Sequence, residues 1–92
     1  MLFRSTSTKT VTIAANSSET VQKVRANSPI TNISQVAIIV SAASATVSAA
    51  PSNGQTTLNP DDSIANTFGS DIKLTNQDTT NEAKATVRVS QG

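Results

Sequence analysis

Apolar residues in this chain recur at every second position over short runs, and clusters of turn formers interrupt them about every ten residues. A period of two is the side-chain period of a strand, so the pattern predicts strands rather than helices. Lys9 to Ala14 opens the series, with Val11 and Ile13 on one face and Thr10 and Thr12 on the other. "ANSSE" then turns the chain. Thr20 to Ala26 carries Val21 and Val24 three apart, which fits a strand with a bulge or one short helix opened by Ser17 or Ser18; the strand is preferred. "NSP" breaks the chain at 27–29. Ile30 to Val40 reads as one long buried strand, irregular before Ile33. Val36, Ile38 and Val40 lie on one face, and Ala37 and Ile39 on the other.

"SAAS" supplies the next turn, and Thr46, Ser48 and Ala50 alternate with Val47 and Ala49 as a half-buried strand. An Ala-rich helix over 42–50 competes, but the β-branched Thr46 and Val47 and the following Pro51 and Asn53-Gly54 weigh against it. Gln55 to Leu58 and Ile64 to Phe68 are short strands around the turn "NPDDS". Ile72 and Leu74 alternate with Asp71, Lys73 and Thr75, and "NQDTTN" is a loop of turn formers. The last strand has the cleanest pattern: Ala83, Ala85, Val87 and Val89 face one way, and Glu82, Lys84, Thr86, Arg88 and Ser90 the other. Seven or eight short strands at this spacing predict an all-β fold, an antiparallel β-sandwich that is jelly-roll-like or immunoglobulin-like. The Cys-Trp-Cys pattern of immunoglobulin domains is missing from the sequence. Residues 1–7 read as a flexible arm and 8–92 as one domain.

Composition changes this picture in one respect. There are two Phe and no Trp, Tyr, His or Cys, so a core must be made from Val, Ile, Leu and Ala. Burying such side chains stabilises by about 1.5–3 kcal/mol for each of the larger ones, which implies a thin core or one completed by neighbouring subunits. Thr, Ser, Asn and Gln make up 40 of the 92 residues. Such polarity can mark disorder, but the β-branched content and the periodicity argue for pleated sheet.

Charge is unevenly distributed. No Asp, Glu, Lys or Arg occurs from Ala26 to Pro60, and all 13 charges lie outside that block. Soluble monomers commonly protect strand edges with charge, so an uncharged third of the chain predicts burial against another surface. The block includes Val36 to Ala50, only 15 residues long and interrupted by Ser41, Ser44, Thr46 and Ser48. That is too short and polar for a membrane helix, which needs about 20 mainly apolar residues. Leu2 and Phe3 are apolar but Arg4 follows at once, so the start does not read as a signal peptide, and a cytosolic product is expected. Asn16-Ser17-Ser18 and Asn32-Ile33-Ser34 match the glycosylation sequon by chance in so Asn- and Ser-rich a chain.

Candidate chemistry is sparse. Without His or Cys there is no Ser-His-Asp or Cys-His system, no zinc site of the usual ligands and no disulfide framework. No enzymatic activity and no cofactor are expected. Asp61 and Asp62 with Asp71 are the only acids that suggest a calcium site, and without a D-x-D-x-D-G run they read as turn residues, so no metal is expected. A Lys–Asn cross-link could use Lys84, Asn76 and Glu82, though nothing singles them out. Seven cations nearly balanced by six acids, without interleaved aromatics, disfavour nucleic acid.

"KTVTIAANSSETV", "TLNPDDSI" and "DIKLTNQDTTNEAKATVRVS" together resemble the small β-sandwich virion proteins of tailed bacteriophages, of the capsid decoration (cement) or fibre-domain type. Asp61-Asp62 stands where such proteins often carry Gly-Glu, so that motif matches in part. The resemblance implies a structural protein, located in the virion, that binds a major capsid or other virion protein, often as a homotrimer. Leu2, Phe3, Val36, Ile38 and Val40 are then the expected interface residues. A standard interface of about 1,600 Å² would supply burial that the monomer lacks. The alternative is a monomeric receptor- or glycan-binding module, which the absence of Trp and Tyr disfavours.

Overall fold

A computed structural model describes residues 6–47 and 54–90. Eight strands follow in order: β1 (Thr6–Ile13), β2 (Ser17–Val21), β3 (Pro29–Asn32), β4 (Ile38–Ala42), β5 (Gln55–Leu58), β6 (Ser63–Ala65), β7 (Ile72–Asn76) and β8 (Ala83–Ser90). No helix occurs among the described residues, and none is long and apolar enough to cross a membrane. The strands form two antiparallel four-stranded sheets, ordered β1-β8-β3-β6 and β2-β7-β4-β5. The first strand therefore pairs with the last, the second with the seventh, the third with the sixth and the fourth with the fifth. This is one long hairpin folded over on itself, the connectivity of a jelly roll, which decides between the two sandwich types expected.

Alternation explains the core. Val11, Ile13, Ile30, Ile38, Val40, Leu58, Ile72, Leu74 and the small Ala83 and Ala85 meet between the sheets, with Val21, Val24 and Val87. No aromatic belongs to this buried set; Phe68 packs against it while partly exposed. A core of β-branched and small side chains is what the composition predicts.

Several boundaries differ from the sequence reading. Thr6 and Ser7, counted with the arm, are paired strand opposite Ser90 and Val89. Val21 and Val24 are both buried, but the chain leaves the β2 sheet between them. Lys23 takes a positive φ of 60°, and Val24 makes an isolated bridge to Val89 in the other sheet. The spacing of three is thus a crossover, neither a bulge nor a helix. The long strand from Ile30 to Val40 is two strands in different sheets, β3 and β4, joined by residues 33–37. Finally, β6 ends at Ala65 instead of running to Phe68, because Asn66 turns the chain. Thr46 and Val47 are not strand; the rest of the strand expected there lies outside the described residues.

Three buried asparagines stop strands in the same way. Asn32 and Asn76 are 0% exposed and Asn66 is 2% exposed. Each follows a buried or half-buried aliphatic residue by two (Ile30, Ile64, Leu74), so strand alternation turns its amide toward the core. Each Oδ1 accepts the backbone N–H two residues on, from Ser34, Phe68 and Asp78 at 2.9, 3.0 and 3.0 Å. Each Nδ2 donates to carbonyls of other segments. Asn32 reaches Leu58 (3.0 Å) and Asn76 reaches Ile13 (3.2 Å), both across to the opposite sheet. Asn66 reaches Arg25 (3.2 Å) and Gly69 (2.8 Å). No buried side-chain polar atom among the described residues lacks a partner.

Candidate functional site

The outer face of the β2-β7-β4-β5 sheet carries a groove of about 410 Å³. Its floor is Ile39, which alternation turns away from the core residues Ile38 and Val40, which its strand neighbours Thr57 and Thr75 flank, and which stays only 6% exposed. One wall is the β3–β4 connection, with Gln35, Val36 and Ala37; the other is Gln77 and Asp78 after β7. Both walls are held by buried asparagines. Asn32 Nδ2 donates to the Val36 carbonyl at 2.7 Å, and Asn76 Oδ1 accepts from the Asp78 N–H at 3.0 Å. The Asp78 carbonyl also accepts from the Asn16 N–H at 2.8 Å, which pins that wall to the β1–β2 turn.

Asp78 is the only charged residue on the groove among the described residues. Its Oδ1 accepts the backbone N–H groups of Asn81 (2.7 Å) and Thr80 (2.8 Å). Those two bonds, Asn81's first, hold its carboxyl below the usual aspartate range, so it is anionic at neutral pH. Gln35, Val36, Ala37, Ile39 and Thr57 all come from the uncharged block. The groove is therefore an apolar floor with amide and hydroxyl groups around it and one carboxylate at its rim. Among the described residues it holds neither a nucleophile–base pair nor an aromatic platform.

The expected interface residues fare differently. Ile38 and Val40 are 0% exposed within the chain's own core, so their side chains are not available to a partner. Hydrophobicity marked them correctly as buried, but the opposite sheet is what buries them. Val36 is half-buried and lines the groove. Leu2 and Phe3 lie outside the described residues. Sequence reasoning missed Ile39 as the groove floor; its place one step out of phase with Ile38 and Val40 was the available signal.

The remaining candidates do not assemble into sites. No three acidic side chains among the described residues gather where they could hold a metal ion. Asp62 Oδ2 instead accepts the Asn59 N–H at 3.1 Å within the β5–β6 turn, and Asp61 occupies that turn with a positive φ of 70°. The Asn76 amide is committed to three carbonyls and Lys84 is half-exposed beside Glu82 at 3.9 Å, so those three do not form a cross-link site. Asn32 is sealed in the core, so the sequon at 32–34 offers no accessible amide in the folded chain. Comparison with protein-family models, with curated proteins and with solved structures finds no match.

Proposed function

We propose that this chain is a non-enzymatic structural protein of a virion, which binds and stabilises a capsid or other virion assembly through protein–protein contacts. One observation carries the reading: the two strand edges on one side of the sandwich bear no charge. β5 (QTTL) and β6 (SIA) are the outer strands of their sheets on that side, whereas the opposite edges, β1 and β2, carry Lys9 and Glu19. Bare edges invite strand pairing, and proteins that must stay apart usually block them. The exposed Ile33, at 47%, is the one large apolar side chain left open among the described residues, and it lies in the uncharged block. Jelly rolls build viral capsid domains and also lectins, so the fold agrees with this role by analogy without selecting it. The resemblance to tailed-phage virion proteins points the same way.

Edge contact predicts self-association, with a trimer as the favoured state. The test is solution mass by light scattering, for the full chain and for Ala65→Lys, which sets a charge on the exposed β6 edge away from the groove. A mass above the monomer that Ala65→Lys lowers supports the reading. A monomer that binds in a glycan array would replace it with the recognition-module reading.

A further inference from the structure

The groove on the β2-β7-β4-β5 sheet offers Val36, Ala37 and the small exposed part of Ile39 beside Gln35, Thr57 and Gln77, and the one charge among its described lining residues is the Asp78 carboxylate, so it suits a short occupant with an apolar part and a basic group. Among the segments outside the described residues, Leu2-Phe3-Arg4 has that chemistry in that order. Internal residues 48–53 carry no charge and no large apolar side chain.

Geometry decides which copy supplies it. The groove lies at the Ile13 end of the sandwich: Asn76, next to Gln77, donates to the Ile13 carbonyl, and Asp78 accepts from Asn16. The arm enters at the other end, where Thr6 faces Ser90. Seven steps of antiparallel strand separate Thr6 from Ile13, about 24 Å. Phe3 is three residues before Thr6 and reaches at most about 11 Å from it. The groove also faces outward from the sheet opposite β1. A chain therefore does not reach its own groove.

We infer that the groove receives Leu2-Phe3-Arg4 from a second copy of this chain, with the apolar pair over Ile39, Val36 and Ala37 and the Arg4 guanidinium beside Asp78. The contact joins two different surfaces, so it is head-to-tail, and it builds a closed ring or a filament. Three copies would close the trimer favoured above. The walls that Asn32 and Asn76 hold in place make the groove a formed receptor, which limits the ordering that docking requires. This inference rests on the assembly reading and adds a second contact, on a surface separate from the β6 edge; edge contact alone does not hold copies together without the arm in place, so loss of either contact lowers the mass.

The test uses two variants of the full chain, each damaged on one side of the contact. Leu2→Ala/Phe3→Ala removes the plug, and Ala37→Arg obstructs the groove from an exposed connecting residue. Thermal melting checks that both fold. Light scattering is expected to show the unaltered chain above the 9.5 kDa monomer mass and each variant at it. An equimolar mixture of the two variants is expected at twice the monomer mass, because one intact arm meets one intact groove and nothing can add further. A monomeric unaltered chain overturns both the inference and the edge self-association predicted above, and binding to a partner then remains to judge the structural role. An assembly unchanged in both variants overturns the inference and leaves the assembly reading standing. A mixture that stays monomeric overturns it as well.

Discussion

Replacing Asn76 is expected to destabilise this protein more than most core truncations would. The side chain is fully buried and makes four hydrogen-bond contacts: to the carbonyls of Asn81 (2.8 Å), Ile13 (3.2 Å) and Ala14 (3.3 Å), and from the Asp78 N–H (3.0 Å). Two amide protons serve three carbonyls, so one proton is shared and the set counts as about three bonds. At about 1 kcal/mol net each these contribute about 3 kcal/mol, and buried partners left unpaired add up to about 2 kcal/mol. Asn76→Ala is thus expected to cost about 3–5 kcal/mol, against a total of about 5–14 kcal/mol for a domain of this size. With a urea slope of about 1 kcal/mol per molar, the unfolding midpoint falls by about 3 M or more. Asn76→Asp keeps the shape but turns an oxygen toward three carbonyl oxygens. At pH 7 it is expected to cost at least as much as Asn76→Ala. Burial and the facing lone pairs raise the folded pKa of the introduced carboxyl above its unfolded value of about 3.9. Its penalty is therefore smallest below that value and grows as pH rises through the folded pKa. Urea titrations at pH 3 and pH 7 should show the two variants diverging with pH. An Asn76→Asp protein as stable as the unaltered chain at pH 7 would refute the hydrogen-bond account.

Two further outcomes follow from local geometry. Gly69 has a φ of +111°, and a Cβ there would meet no atom within 4 Å; Gly69→Ala is expected to cost about 1–3 kcal/mol through backbone strain alone, read from the urea midpoint. Asp78, whose folded pKa is depressed by the Asn81 and Thr80 N–H groups, contributes stability that is present above its unfolded pKa and is lost as pH falls through the lower folded value. Asp78→Asn keeps an acceptor at Oδ1 and is expected to flatten that acid limb; an acid limb unchanged in Asp78→Asn would remove Asp78 from the account.

How far the sequence discloses this fold depends on how strictly each segment alternates. β8 is legible because small and β-branched residues at 83, 85, 87 and 89 never break phase, and the structure pairs all eight of its residues with β1. β3 and β4 are not separable by eye. Ile30, Val36, Ile38 and Val40 share one parity, and Asn32 occupies that parity too, where a polar residue looks like a local fault in one strand. It is the point where the strand stops. The same "aliphatic–x–Asn" pattern recurs at Ile64-Ala65-Asn66 and Leu74-Thr75-Asn76, and all three asparagines point inward. An asparagine in phase with the core, two residues after an aliphatic one, was the available signal for a strand end. The groove was less legible. The uncharged block predicts a covered surface but not which face of β4 lies under the groove, since that depends on which side the second sheet takes.

The asparagines also explain how so thin a core is held. The chain has no Cys for a disulfide, Phe68 packs against the core only from a partly exposed position, and the aliphatic set contains nothing larger than Ile and Leu. Dispersion among small side chains closes the middle of the sandwich but does not fix where strands end. Asn32 and Asn76 do that at one end by tying strand carbonyls across the sheets, and Asn66 does it at the other beside Val24 and Gly69. At the first end the same two amides position Val36 and Asp78, the two walls of the groove. Stability and the site are therefore coupled through shared hydrogen bonds, and substitutions at Asn32 or Asn76 should weaken docking even when the protein remains folded. Ala37→Arg blocks the groove without touching either amide, so comparing the two kinds of variant separates a groove that is filled from a groove that is no longer held.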